Sequence, residues 1–267
     1  MRSPLRRASQ VQLLAEFPAW TADWSGGAGR RCLVVDADRT LSHSDTGRLV
    51  GRTLGVDEQI RRIFEEFGYE ELSFSLVAAT WGGLGADEYL RVVGAVAEAV
   101  VPHAAWLDTL AAVAGRCPVV VVTAGIPQAW RLVLDRHGHG HVPVVGGCHP
   151  ALDSYLVCPE TKADIVRIFK AAGWTVAAAG DSPIDLQMLK ACDFPLFVPD
   201  HKGSPGLSAR LHEVPNIRRF VLNDDTEDAE LTCNAKQLST FLLYGVADHA
   251  DRPHPGTTAP APGRRHT

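Results

Sequence analysis

The sequence has no C-x-x-C pair, no long apolar run and no excess of positive charge. Its six cysteines, Cys32, Cys117, Cys148, Cys158, Cys192 and Cys233, stand far apart, which excludes a zinc ribbon and a thioredoxin-like redox site. Reduced, mostly buried thiols are the expectation. The 26 Lys and Arg face 31 Asp and Glu, a net charge of −5, so a strongly basic nucleic-acid binder is excluded. The purely apolar stretches are short, as at 118–122, and the richer stretch 92–101 is interrupted by Glu98, so no membrane partner is expected. Arg2, Arg6 and Arg7 are not followed by a continuous apolar segment, which argues against a secretory signal and for a cytoplasmic protein.

What is present is globular: 267 residues, 46% hydrophobic and 21% charged, enough for one large or two modest domains. Short β-rich runs at 32–35, 119–122, 142–145, 176–179 and 195–198 lack polar alternation and read as strands buried on both faces. Helical patterns at 104–114, 128–136, 162–172 and 184–191 lie between them, which predicts an α/β fold with a parallel, Rossmann-like sheet. The alternation breaks between 45 and 101. There the pattern reads as consecutive helices at 46–54, 58–67 (capped by Asp57), 69–81 and 87–100, an inserted all-helical unit.

The domain expectation is therefore an N-terminal extension (1–29, with a short helix near 11–17), an α/β core (30–44 and 102–222) and a helical cap (45–101). A C-terminal segment (223–247, with a helix at 236–244) and a disordered tail (248–267) follow. The tail holds four prolines, two glycines and no Leu, Ile, Val or Phe.

Four strand ends carry chemistry. The first reads Asp36-Ala37-Asp38-Arg39-Thr40, placing two carboxylates where ligands bind in open parallel sheets. Another reads Gly180-Asp181-Ser182-Pro183-Ile184-Asp185, a helix start with Ser182 or Asp181 as N-cap and Pro183 at the first position. Thr123-Ala124-Gly125 offers a hydroxyl and small residues whose backbone N–H groups can approach a phosphate. Lys162 falls in the first turn of its helix, unfavourable for a cation unless something negative faces it.

In this order and spacing the motifs resemble the haloacid dehalogenase superfamily, and within it the phosphatases similar to phosphoserine phosphatase. Asp36 and Thr123 are 87 residues apart but Thr123 and Lys162 only 39, so the helical block resembles the family's cap inserted after the first motif. The resemblance implies a phosphatase for a small-molecule phosphate substrate. Asp36 would be the nucleophile, forming an aspartyl-phosphate, and Asp38 the general acid and then base. Mg²⁺ would be held by Asp36, the Asp38 carbonyl and Asp181, with Asp185 an outer-shell orienter or alternative ligand. Thr123, Ala124, Gly125 and Lys162 would bind the phosphoryl oxygens. A phosphomutase of the same superfamily and a catalytically silent phosphate-binding protein are the alternatives, and nothing in the sequence sets an oligomeric state.

Departures from the resemblance concern specificity. Asp45 stands where the phosphoserine phosphatases hold the substrate ammonium. Trp81 stands where they carry a carboxylate-binding arginine, and 63–90 contains no Lys or Arg. Arg39 replaces a small residue and Ile184 a polar one. Phosphoserine is therefore disfavoured; Asp45, Tyr69, Phe74 and Trp81 suit a sugar, nucleoside or other polyol phosphate. Phe74 and Trp81 also read as residues that pack the cap. The run His137-Gly138-His139-Gly140-His141 reads first as a C-cap loop, Cys148-His149 as structural, and the acidic run 224–230 as a solvated face.

Overall fold

Runs of valine, alanine and leucine with both faces apolar can be satisfied only inside a covered sheet, and this requirement organises the chain. The computed structural model describes residues 4–22, 24, 29–153, 155–199, 205–222 and 232–245. The expected tail at 248–267, the acidic run 224–230 and the glycines at 26 and 27 lie outside the described residues.

The chain begins with helix α1 (Pro4–Trp20) and enters strand β1 (Arg31–Asp36). Four helices follow: α2 (Thr46–Thr53), α3 (Asp57–Phe67), α4 (Glu71–Gly82) and α5 (Ala86–Ala99). Strands and helices then alternate as α6 (Ala104–Val113), β2 (Val119–Thr123), α7 (Pro127–Arg136), β3 (Val144–Gly146), α8 (Pro159–Ala171) and β4 (Thr175–Gly180). A 3₁₀ turn (Pro183–Asp185) opens α9 (Leu186–Ala191), and β5 (Phe194–Phe197), α10 (Pro205–Ser208), β6 (Arg218–Phe220), β7 (Thr232–Cys233) and α11 (Ala235–Tyr244) complete the described fold.

All seven strands are parallel, in the order β3-β2-β1-β4-β5-β6-β7. The order reverses at β1, so the crevice for a ligand lies at the carboxyl ends of β1, β2 and β4. Successive residues of β1 enter opposite cores. Leu33 and Val35 join the cluster beneath α5, α6, α7 and α11, whereas Cys32 and Val34 join the one beneath α1 and α8. In the second cluster Phe17 of α1 meets Phe169 of α8 edge-on, ring centroids 5.0 Å apart.

Several boundaries differ from the sequence expectation for identifiable reasons. Strands β6 and β7 have three and two residues, too short to register as a pattern. Val56, not Asp57, precedes the first turn of α3; the Asp57 carboxylate turns instead to Arg52 at 3.3 Å. The α4 helix starts at Glu71 because Gly68, at φ +62°, ends the previous one and leaves Tyr69 in the turn. The six cysteines carry no disulfide, and five are buried. No helix among the described residues is long and apolar enough to cross a membrane.

The helical insertion is tied to the core at two places. Ser42 and Pro102, at its exit and return, pair antiparallel, and His103 N donates to Leu41 O at 2.8 Å. Arg136, at the end of α7, donates to the carbonyls of Ala97 (2.8 Å) and Val100 (2.5 Å), satisfying the open C-terminus of α5. Arg136→Ala is expected to lower the free energy of unfolding by about 1–2 kcal/mol, measured by urea denaturation, because two buried carbonyls lose their donors.

Candidate active site

Each strand that ends at the crevice delivers one chemical group. At the end of β1 the Asp36 carboxylate is buried, and its two oxygens have different partners. Oδ1 accepts from the Lys162 ammonium, and Oδ2 accepts from the Thr40 hydroxyl at 2.9 Å. Thr40 comes within reach because the chain turns sharply after Asp38: Arg39 sits at φ +61°, and the amides of Thr40 and Leu41 fold back onto Ala37 O. A side chain at that left-handed position costs about 1 kcal/mol relative to glycine. The Arg39 guanidinium Nε lies 3.3 Å from Asp181 Oδ2.

Lys162 belongs to the first turn of α8 and is 1% exposed. Its ammonium bridges Asp36 and Asp185, the latter at 2.6 Å. These carboxylates are the negative partners that a cation at a helix N-terminus requires. Burial pulls the Lys162 pKa down, but Asp185 and Asp36 outweigh it and hold it above lysine's ordinary range.

After β4 the chain makes the expected helix start, with Ser182 as N-cap and Pro183 first in the 3₁₀ turn. Asp185 closes that turn: its Oδ2 accepts from Ser182 N at 3.1 Å and from Ser182 Oγ at 2.9 Å. Gly180 is required here, since a Cβ at that position would lie 2.5 Å from the Asp185 side chain.

Asp38 is held differently. Its Oδ1 accepts from Thr46 N (2.7 Å) and from the Trp130 indole N–H (3.1 Å), while Oδ2 is 3.5 Å from Thr123 Oγ1. With Oδ1 occupied by two N–H donors, a proton on this carboxyl resides on Oδ2. Thr123 Oγ1 also accepts from Gly125 N at 2.9 Å. That amide therefore faces the threonine hydroxyl, and Gly125 lines the same cavity.

Burial pushes the pKa of three carboxyls upward. Asp36 rises to about 6 through desolvation and then Asp185, and Asp38 to about 7 through desolvation and then Asp45. Asp181 rises to about 8 through desolvation, then Asp36 and Asp185, against the opposing pull of Arg39 and Lys162. The common cause is desolvation, and in each case a neighbouring carboxylate adds to it. Carboxylate oxygens of Asp36, Asp181 and Asp185 lie within 4.8 Å of one another, and they are the one such metal-capable cluster among the described residues. All-oxygen donors with a surplus of negative charge, three carboxylates against Lys162 and Arg39, fit a hard divalent cation. All three carboxylates have partners on both oxygens, Asp36 with Lys162 and Thr40, Asp181 with Thr40 and Arg39, and Asp185 with Lys162 and Ser182; Asp185 alone is tied to a backbone amide of its own turn.

These groups open into a cavity of about 450 Å³ between the strand ends and the helical insertion, lined also by Arg39, Asp45, Trp81, Ala124 and Gly125. Asp45 has a structural task there as the N-cap of α2, its Oδ1 accepting from Arg48 N at 2.9 Å. Trp81 is 3% exposed and meets Tyr89 edge-on, so it packs the insertion as well as facing the cavity. The histidines at 137–141 form the turn after α7, with Gly138 at φ +79°, and the Cys148 and His149 amides both donate to Asp153 at 2.8 Å. Trp130 and Thr46 are the contributors that sequence reasoning missed. Trp130 lies 92 residues from Asp38 and carries no motif that could have marked it.

The haloacid dehalogenase-like hydrolase family model matches residues 33–190. The chain belongs to that family. Among solved structures, a HAD family hydrolase from Salmonella enterica subsp. enterica serovar Typhi is 14% identical, with 87% of this chain and 80% of that one covered at a TM-score of 0.50. A protein of unknown function from Bordetella pertussis Tohama I is 14% identical over 73% of this chain and 100% of its own, at a TM-score of 0.53. Phosphoserine phosphatase from T. onnurineus is 15% identical, covering 81% and 96% of the two chains at a TM-score of 0.49. At these identities the likeness to the Salmonella and Bordetella proteins is one of fold. No curated protein matches this chain.

The raised carboxyl pKa values give the site a signature in stability. Below about pH 4 both folded and unfolded forms are protonated at these groups, and the contribution is complete. It is lost as pH rises through about 6 to 8, where Asp36, Asp38 and Asp181 must ionise in the fold. Added Mg²⁺ is therefore expected to raise Tm more at pH 8 than at pH 5, measured by scanning calorimetry of the metal-stripped protein.

Proposed function

We propose that this protein is a Mg²⁺-dependent phosphatase that hydrolyses a small organic phosphate monoester through an aspartyl-phosphate. The observation that carries this reading is the pairing, in one cavity, of a lysine-held carboxylate (Asp36) with a second carboxyl (Asp38) whose pKa is pushed up to about 7.

A phosphate monoester dianion repels an incoming carboxylate, so the site must first neutralise it. Lys162 supplies one fixed positive charge beside Asp36, and Thr123 offers a hydroxyl for a phosphoryl oxygen. Asp36 and Asp181, with the Asp38 carbonyl, would hold Mg²⁺, which supplies the remaining charge compensation between the two anions. The Asp36 carboxylate attacks phosphorus; the bond to the leaving oxygen breaks, and that oxygen takes the proton from Asp38 Oδ2. The ionised Asp38 then removes a proton from water, whose oxygen attacks the phosphorus of the aspartyl-phosphate and returns Asp36 as carboxylate with release of inorganic phosphate. A group near pH 7 can serve as both acid and base, which this two-step route requires. Trp130 and Thr46 keep Asp38 oriented through its other oxygen.

Release of inorganic phosphate is the direct test, using sugar phosphates, nucleoside monophosphates, p-nitrophenyl phosphate and phosphoserine with Mg²⁺ and no bisphosphate activator. Asp36→Asn is expected to lower turnover by more than about a thousandfold while the protein remains folded. Comparable metal-dependent turnover by that variant would sink the mechanism.

A further inference from the structure

The strand ends and the helical insertion line the cavity with different chemistry. At the strand ends it presents Asp36, Thr123 and Lys162, groups suited to a phosphoryl head. From the helical insertion Ile60, Phe64, Tyr69, Phe74, Val77 and Trp81 line it. Phe64 is the centre of that wall, its ring 5.4 Å from Tyr69 and 5.4 Å, edge-on, from Phe74. Phe74 and Trp81 are buried in the insertion, whereas Phe64 is half-buried and keeps part of its ring open. Nothing in the sequence patterning had marked Phe64.

The charges around the wall decide what else a ligand can carry. Among the described residues lining the cavity, every cation already faces a carboxylate: Arg39 with Asp181, Arg48 with Asp57, Arg61 with Glu58 and Glu65, and Lys162 with Asp36 and Asp185. The carboxylates of Asp45, Asp57 and Glu65 line the same space. A carboxylate on the leaving group would meet this negative field without a spare positive partner, while a flat apolar ring would exchange water for Phe64 and its neighbours.

We infer that the leaving group of the substrate is a ring-bearing alcohol without a carboxylate, its ring seated on Phe64, and that Phe64 determines this specificity. The inference rests on the phosphatase reading of the site for the identity of the phosphoryl end. A volume of about 450 Å³ accommodates a phosphate and one ring system together.

Binding of phosphonates, which cannot be hydrolysed, tests this separately from turnover. Benzylphosphonate, methylphosphonate and 3-phosphonopropionate are titrated calorimetrically into the Mg²⁺-supplemented protein. Benzylphosphonate is expected to bind at least about tenfold tighter than methylphosphonate, the effect of covering part of one ring face, and 3-phosphonopropionate more weakly than either. Phe64→Ala is expected to reduce the benzyl advantage to under about threefold, with Phe64→Leu intermediate and thermal unfolding confirming that both variants fold. Equal binding of all three ligands, no binding of any, preference for the carboxylate-bearing one, or an undiminished benzyl advantage in both folded variants overturns the inference. Phosphate release is scored independently. Ring preference without turnover sinks only the phosphatase reading, and turnover without ring preference sinks only the inference.

Discussion

The crevice is built around one buried ammonium. Lys162 is the only lysine among the strand-end groups, and it joins carboxylates from two different strand ends, Asp36 after β1 and Asp185 after β4. Each of those carboxylates in turn holds its own loop: Asp36 receives Thr40, and Asp185 receives the backbone and hydroxyl of Ser182. Removing a buried charge from such a set leaves its partners uncompensated, a loss of about 3–5 kcal/mol in comparable cases. The position of α8, whose first turn carries this lysine, is thereby coupled to the two turns that line the crevice.

The remaining carboxylates set the chemistry through what they lack. Desolvation lifts both Asp181 and Asp38 toward neutrality, in Asp181 against the pull of Arg39 and Lys162. Arg39 partly relieves Asp181 from a backbone position that suits glycine better. A site with this much unneutralised negative charge is poised for a cation, and a carboxyl near neutrality is poised to move a proton. The two properties have one origin, the gathering of four acids in a crevice that desolvates them.

Much of this was legible in the sequence because strand ends advertise themselves. A buried parallel strand is an apolar run, so the first acid or hydroxyl that stops it marks the crevice, and Asp36, Thr123 and Asp181 all stand at such stops. Lys162 was visible as a cation in the wrong half of a helix. What was not legible depends on tertiary proximity without local pattern. Trp130 reaches Asp38 from the first turn of α7, and Gly125 N donates to Thr123, facts that no spacing rule contains. Asp45 was singled out through a family position as a substrate contact; it lines the cavity and, in addition, caps α2, a task that its place directly before that helix allows. The short strands β6 and β7 escaped because two or three residues make no period.

The Thr46 amide that holds Asp38 is the first residue of α2, and α2 is the first helix of the insertion whose later helices supply Phe64, Phe74 and Trp81. On the proposed mechanism and specificity, recognition and proton transfer would therefore share a segment of chain. A lineage that exchanged this insertion for another would change more than the shape presented to a ligand: it would also reset the basicity of the acid in the core. On that reading, selectivity and the pH range of activity would be inherited together.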